Sequence, residues 1–150
     1  AADADAFLSS LVDREAAGEP ITLPDGTTVP RLPGYRRWLW DGEFCGSIGL
    51  RWQRGTEALP PYCLGHIGYG VHRRFRGHQY AARSCRLLLP LARAHGLTAV
   101  WLTVDPQNLP SQKTCATLGA KYVDTVRLPK TNEQYAQGDR YKRRYRLATR

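Results

Sequence analysis

The stretch Leu-Gly-His-Ile-Gly-Tyr-Gly-Val-His-Arg-Arg-Phe-Arg-Gly-His-Gln-Tyr-Ala, residues 64–81, is the part of the chain from which the fold is predicted. A strand-like run over 64–71 meets a basic, glycine-containing turn that opens a helix. The first turn of a helix carries N–H groups without partners and the positive end of the helix dipole. The sequence therefore predicts a phosphate-binding junction, with Arg74, Arg76 and His78 around it.

The pattern on either side of this junction predicts the other elements. Asp41-Gly42 separates two alternating runs, which indicates a β-hairpin with strands over 36–40 and 43–53. Apolar spacing and turn residues predict helices over 4–17, 80–95 and 108–118, and strands over 99–104, 121–128 and 141–148. Residues 21–34, with four prolines, are expected to form an irregular loop.

Together these elements predict an α/β (α+β) fold, in which a mixed, mostly antiparallel central sheet is flanked by helices. A chain of 150 residues is long enough for one domain with its own core, so we expect a single domain over residues 1–150. Apolar residues make up 42% of the chain and charged residues 23%, values that are typical of globular proteins and exclude a disordered chain.

The chain carries 22 Lys and Arg against 13 Asp and Glu, a formal net charge of +9. Such a charge fits a nucleic acid, an acidic substrate or a polyanionic cofactor as partner. No run approaches the roughly 20 apolar residues of a membrane span, so we expect no membrane partner and a cytoplasmic location. Four scattered cysteines lack the spacing of zinc or redox sites, which predicts reduced thiols and no bound metal.

The window Arg76-Gly77-His78-Gln79-Tyr80-Ala81 resembles the acetyl-CoA site of the GNAT family of N-acetyltransferases, whose turn reads Gln/Arg-x-x-Gly-x-Gly/Ala. Gln79 stands where the family has its first glycine, and we expect it to adopt ordinary right-handed helical angles, which glutamine tolerates. The resemblance covers roughly residues 36–150. It implies that acetyl-CoA is bound along the strand end, the turn and the helix start, by Tyr69, Gly70, Val71, Arg74, Arg76, Gly77, His78, Gln79, Tyr80 and Ala81.

A second element of the resemblance follows the strand over 99–104. Asn108 and Ser111 match family positions that bind the pantetheine arm of the cofactor. The alternative is that Asn108 simply caps the helix, a role that asparagine fills well. Cys115 stands where many members have a tyrosine that protonates the departing thiolate, and a buried cysteine is more often a packing residue.

The resemblance implies that a primary amine, either a small molecule or a peptide amine, attacks acetyl-CoA directly and releases coenzyme A. His66 and Tyr69 are the candidate catalytic residues. His66 is the candidate proton acceptor, and the alternative is a hydrogen-bonded histidine within the sheet. Backbone N–H groups of residues 69–71 are the expected oxyanion donors. Strand alternation places the His66 and Tyr69 side chains on opposite faces unless a bulge changes the register.

Several alternatives stay open at this point. A protein of this fold that binds acyl-CoA as a sensor, without turnover, fits the departures at Gln79 and Cys115. The basic, aromatic segment around Tyr141 and Tyr145 would suit a nucleic-acid-binding module, although no nucleic-acid motif is present. Residues 55–63 and 129–140 are expected to wall the acceptor pocket. The first strand of the family is not visible and is expected to have been lost upstream, and a homodimer is left open.

Overall fold

The computed structural model describes residues 3–150. The helices lie, in chain order, at α1 (Ala4–Ser10), α2 (Tyr80–Ala94), α3 (Leu109–Leu118) and α4 (Glu133–Ala136), with a 3₁₀ turn at Arg73–Phe75. The strands are β1 (Val12–Asp13), β2 (Ile21–Thr22), β3 (Thr28–Val29), β4 (Gly34–Trp40), β5 (Phe44–Arg51), β6 (Ile67–Val71), β7 (Ala99–Val104), β8 (Lys121–Arg127) and β9 (Tyr141–Ala148).

Seven of these strands form one sheet in the order β1-β4-β5-β6-β7-β9-β8, and β2 and β3 form a separate small hairpin. Every neighbouring pair in the large sheet is antiparallel except β6 and β7, which run parallel. The predicted mixed, mostly antiparallel sheet is therefore confirmed. The hairpin predicted at Asp41-Gly42 joins β4 to β5, and the strands predicted after α2 and α3 lie within a residue of the expected bounds.

The core lies between the sheet and α2. Leu88 and Ala92 of α2 belong to the same buried cluster as Ile48 and Leu50 of β5. At the C-terminal end of this helix the His95 ring stacks on Trp52, with ring centroids 4.0 Å apart, and the hydroxyl of Tyr35 is 2.7 Å from its Nε2 atom. The helix is thus fixed to β4 and to the residue after β5 at the end opposite the basic turn, which sets where its N-terminus points.

The N-terminal helix is shorter than predicted, ending at Ser10 where 4–17 was expected. Val12 and Asp13 instead pair with β4 at the edge of the sheet. The Asp13 carboxylate accepts the N–H groups of Ala17 and Gly18, at 2.8 and 3.1 Å, and closes a turn where the helix was predicted to continue. In the described residues the edge of the sheet next to β4 is thus a two-residue strand that follows a helix.

Two predicted loops also contain regular structure. Residues 21–34 were expected to be irregular, but β2 and β3 pair across the Asp25-Gly26 turn, where Gly26 has a φ of 85°. The segment 129–140 contains α4, whose first turn is capped by the Asn132 side chain. Within residues 3–150, no helix combines the length and the apolar character that crossing a membrane requires.

Gly46 on β5 has no room for a side chain, and Gly70 beside it has ample room. Gly46 has a φ of 153°, and a Cβ there would overlap the carbonyl oxygen of Gly70, whereas a Cβ at Gly70 would meet no atom within 4 Å. We therefore expect Gly46→Ala to lower the free energy of unfolding by about 2–3 kcal/mol, and Gly70→Ala by less than about 1 kcal/mol. Urea denaturation checks this, and equal losses would contradict it.

Candidate active site

The parallel strands β6 and β7 diverge in the middle of the sheet. Ile67 and Leu102 are their one registered pair among the described residues. Residue 66 accepts a hydrogen bond from β5 and residue 72 donates one to it, so by alternation residues 69 and 71 direct their backbone groups away from β5. The N–H groups of Tyr69 and Val71 therefore face the β6–β7 gap, the space between residues 68–71 and residues 103–104. This is the place predicted for oxyanion donors.

The N-terminus of α2 lies beyond the end of β6 and has no side-chain cap. Gln79, the residue before the helix, has φ 57° and ψ 23°, so it is in the left-handed region. The expectation of right-handed angles at Gln79 was wrong, because this residue precedes the helix and turns the chain into it. Gly77 also has a positive φ, 90°. The first N–H groups of the helix, from Tyr80 and Ala81 onward, are thus open to an anion.

The basic side chains of the turn differ in their contacts. Arg74 forms an ion pair with Glu43 at the tip of the β4–β5 hairpin, and the Tyr80 hydroxyl donates to Asp41 at the same tip. Arg76 donates from Nε to the carbonyl oxygen of Val71 at 3.0 Å, which holds its guanidinium beside the end of β6. The exposed His78 ring lies on Tyr80, with centroids 5.5 Å apart. Of the three basic side chains predicted around the junction, Arg76 and His78 thus have no carboxylate partner in the described chain.

Asn108 caps α3 on the other side of the gap. Its Oδ1 atom accepts the N–H of Ser111 at 3.1 Å. Asn108 therefore caps α3, and its amide nitrogen is still available to a ligand, since capping uses only the oxygen. Asn108 and Ser111 line the same groove as Tyr69. The structure therefore brings together the two elements of the sequence motif, which lie about 30 residues apart in the chain.

The Tyr69 hydroxyl is buried at the first turns of α3. Burial raises the pKa of Tyr69 to about 12, and the nearby hydroxyls of Ser111 and Thr114 oppose this rise. Neither hydroxyl makes a hydrogen bond with it, so its oxygen has no protein partner. Cys115 lies near this phenol, is fully buried, and has its thiol pKa raised by burial to about 11. The phenol of Tyr69 thus lies next to Cys115, the position at which many family members have a tyrosine.

A long groove of about 1430 Å³ opens from the gap across the sheet. Segments 55–63 and 129–140, predicted to wall an acceptor pocket, both contribute to it, through residues 62–63 and 132–134. Its floor contains Gly49 and Gly68, which are paired in register, and Arg51 extends over it. We name this space the sheet groove. Arg51 was missed by the sequence analysis, although a strand arginine two residues after a strand glycine is a visible signal.

Four carboxylates line the sheet groove, namely those of Asp13, Glu19, Asp105 and Glu133. Backbone hydrogen bonds occupy two of them: Asp13 accepts from Ala17 and Gly18, and Asp105 accepts the N–H of Gln107 at 2.7 Å. Within residues 3–150, no three His, Cys, Asp or Glu side chains are grouped so that they would hold a metal ion.

His66 is fully buried immediately before β6, between β5 and β7. Its N–H donates to the carbonyl oxygen of Trp101, and its Nδ1 accepts the N–H of Trp101, both at 2.9 Å. Because Nδ1 is an acceptor, the proton of the neutral ring is on Nε2, which has no protein partner. His66 does not line the sheet groove. These contacts support the alternative of a hydrogen-bonded histidine in the sheet, and proton abstraction by His66 stays a prediction.

The sequence profile of the acetyltransferase (GNAT) family matches residues 10–120. None of the curated protein sequences compared with the chain matches it significantly.

Solved structures of acetyltransferases share the fold. A probable acetyltransferase of known crystal structure is 22% identical over 77% of this chain and 62% of its own, with a TM-score of 0.57. The microcin C7 self-immunity acetyltransferase MccE, in complex with acetyl-CoA and AMP, is 11% identical over 77% and 61%, with a TM-score of 0.59. Mycobacterium smegmatis RimJ, with CoA-disulfide, is 21% identical over 77% and 53%, with a TM-score of 0.58. The chain thus spans between about half and three fifths of the length of these structures.

His66 gives the fold a dependence on pH. Burial, and to a smaller extent the charge of Arg51, lower its pKa from 6.5 to about 4, against a weaker opposite effect of Glu57. Between these values the unfolded chain binds the proton and the folded protein does not, so stability falls as pH decreases. At pH 5 we expect His66 to account for a loss of about 2 kcal/mol relative to pH 7. Urea denaturation at both pH values measures this loss.

The matched variants are His66→Gln, which removes the titrating ring, and His78→Gln, which removes an exposed histidine. The first should abolish most of the difference in stability between pH 7 and pH 5, and the second should leave it unchanged. An unchanged difference in His66→Gln would show that other groups cause the loss.

Proposed function

Because the chain belongs to the acetyltransferase (GNAT) family, we propose that it transfers the acetyl group of acetyl-CoA to a primary amine. The observation that carries the proposal is the β6–β7 gap, where the N–H groups of Tyr69 and Val71 face away from β5 beside the uncapped N-terminus of α2. A strand edge whose N–H groups face a gap suits a thioester carbonyl, and an open helix N-terminus suits a pyrophosphate.

In this proposal the cofactor lies along the elements that meet at the gap. The first N–H groups of α2, with Arg76 and His78, hold the pyrophosphate. The free amide nitrogen of Asn108 and the Ser111 hydroxyl bind the pantetheine arm, which carries amide groups able to pair with them. The thioester oxygen then accepts hydrogen bonds from the N–H groups of Tyr69 and Val71.

The reaction begins when the neutral amine attacks the carbonyl carbon of the thioester. The C–N bond forms, negative charge on the carbonyl oxygen is stabilised by the strand N–H groups, and the C–S bond breaks. The nitrogen gives up one proton to water in the sheet groove, and the thiolate of coenzyme A takes one proton from solvent. The products are the acetylated amine and coenzyme A.

Tyr69 is proposed to assist the departing sulfur. The pKa of its phenol, about 12, is well above the pKa of a free thiol, about 8.5. Full proton transfer from the phenol to the thiolate is therefore uphill by roughly 5 kcal/mol. A hydrogen bond from the phenol to the sulfur avoids that cost and gives the buried hydroxyl the partner it lacks. We assign no proton transfer to His66, since its ring lies outside the sheet groove.

The sheet offers little support for the nucleic-acid alternative. That hypothesis relied on Tyr141 and Tyr145 as stacking residues on an open sheet. Tyr145 is buried in the core cluster, so its ring cannot receive a base. A sensor that binds acyl-CoA without turnover is separated from an enzyme by the experiments below.

Acetyl-CoA should bind the intact chain with micromolar affinity, as measured by isothermal titration calorimetry. Arg76→Ala should weaken binding at least tenfold, because it removes a cation beside the pyrophosphate position. Arg93→Ala removes the same charge from the exposed far end of α2 and should change binding less than threefold. Gln79→Gly should preserve or improve binding, since glycine adopts the left-handed angles without strain. Absence of binding by the intact chain would refute the proposed function.

Tyr69→Phe should lower kcat for acetyl transfer about 10- to 100-fold and leave the affinity for acetyl-CoA unchanged. The substitution removes only the hydroxyl, so packing against α3 is preserved. Release of free thiol with a panel of primary amines measures the rate, and calorimetry measures the affinity. An unchanged kcat would remove Tyr69 from the reaction, and cofactor binding without thiol release by the intact chain would favour a sensor.

A further inference from the structure

The floor of the sheet groove is a surface without side chains beside the proposed thioester position. Gly49 of β5 and Gly68 of β6 lie directly opposite each other, and Gly70 follows on the same face two residues later. A Cβ at Gly70 would meet no atom within 4 Å, so this surface is open to a ligand. The Tyr69 side chain lies on the other face, toward α3, and only its backbone separates that face from the glycine surface.

Arg51 extends over this surface in a fixed orientation. Its Nε donates to the carbonyl oxygen of Gly65 at 2.8 Å. Its two terminal nitrogens lie above Gly68, at 3.5 and 3.9 Å from the position of a Cβ on that residue. The guanidinium is therefore held against the backbone at one nitrogen and presents the other two to the sheet groove.

Neither terminal nitrogen of Arg51 has a carboxylate partner among residues 3–150. Other arginines of the chain are paired: Arg144 with Asp124, Arg54 with Glu15 and Arg74 with Glu43. Arg36, whose register partner is Gly49, lines the same groove and also has no ion pair in the described chain. The floor beside the gap thus carries two guanidinium groups, and neither forms an ion pair with the carboxylates that line the groove.

We propose that Arg51 binds an anionic group, a carboxylate or a phosphate, on the acceptor amine. The proposal rests on the proposed acetyl transfer and names the class of acceptor. A guanidinium with two free nitrogens in one plane matches the two oxygens of a carboxylate or phosphate, and a fixed side chain loses little entropy on binding.

The position of Arg51 also limits the distance between the amine and the anion. The guanidinium lies over Gly68, and the thioester oxygen is assigned to the N–H of the next residue, Tyr69. Consecutive residues are about 3.8 Å apart, so the acceptor must span only one or two residue lengths between its two groups. An α-amino acid or a short aminoalkyl phosphate satisfies this limit. A lysine side chain of a protein does not satisfy this limit, because its residue carries no anionic group close to the amine.

The test compares α-amino acids with their primary amides, in which an uncharged group replaces the carboxylate, and uses aminoalkyl phosphates as a third set; rates are expressed per concentration of neutral amine. We expect kcat/KM for acetyl transfer to favour the acids or the phosphates over the uncharged amides at least tenfold, and the preferred set distinguishes carboxylate from phosphate. Arg51→Gln should reduce this preference to less than threefold, chiefly through KM, and Arg51→Lys should restore part of it.

Arg54→Gln is the matched control. It removes the same charge at a position three residues after Arg51, and the Arg54 side chain does not line the groove. Its acceptor preference should be unchanged, and all three variants should bind acetyl-CoA as the intact chain does. Calorimetric titration of the same acids and amides into the complex with coenzyme A gives a readout independent of turnover. Equal use and equal binding of acids, phosphates and amides, or a preference that survives Arg51→Gln, would overturn the proposal. Cofactor binding without any transfer would instead refute the proposed activity, and binding of the acids would still test Arg51.

Discussion

The parallel contact between β6 and β7 is the constraint on which the site depends. Each strand is held on its outer edge, β6 by five registered pairs with β5 and β7 by six with β9, so neither can move to complete a ladder with the other. Beyond Ile67 and Leu102 the sheet therefore opens. Backbone groups without partners are costly unless water or a ligand satisfies them, so an opening inside a sheet is a position where a ligand gains hydrogen bonds that the fold has left unmade.

The two helices beside this opening end differently, and the difference gives them different roles. Asn108 satisfies the first turn of α3 from within the chain, which fixes that helix against the gap without a ligand. Gln79 offers no cap to α2, and it holds a left-handed conformation that costs a non-glycine residue about 1–2 kcal/mol. The first N–H groups of α2 thus have no side-chain cap, and in the proposed function they bind the pyrophosphate of acetyl-CoA.

Local patterns predicted the elements that local forces determine. The Asp41-Gly42 turn, the apolar face of α2 and the alternation of β7 and β9 all have periodic signals, and the family turn was visible at residues 76–81. The features that were missed depend on distant partners. Helix α1 ends early because Val12 pairs with β4. Gln79 has left-handed backbone angles because the chain turns there as it enters α2. The His66 ring is held in the sheet by its hydrogen bond from Trp101, and the Arg51 side chain is oriented by its hydrogen bond to Gly65. Neither contact produces a periodic pattern in the sequence.

Residues 68–70 of β6 present different groups to α3, to the β6–β7 gap and to the opposite face of the sheet. The side chain of Tyr69 points to α3, its N–H lies in the plane of the sheet and faces the gap, and the neighbouring Gly68 and Gly70 leave the opposite face bare. In the proposed function the cofactor lies against the helices on one face of the sheet, the acceptor lies on the glycine surface of the other face, and the two meet at the β6–β7 gap. Any side chain at Gly68 would approach the guanidinium of Arg51 and fill this meeting point. Glycine weakens a strand in isolation, so on the proposed reaction the glycines of β6 serve access to the reacting groups and not the stability of the sheet.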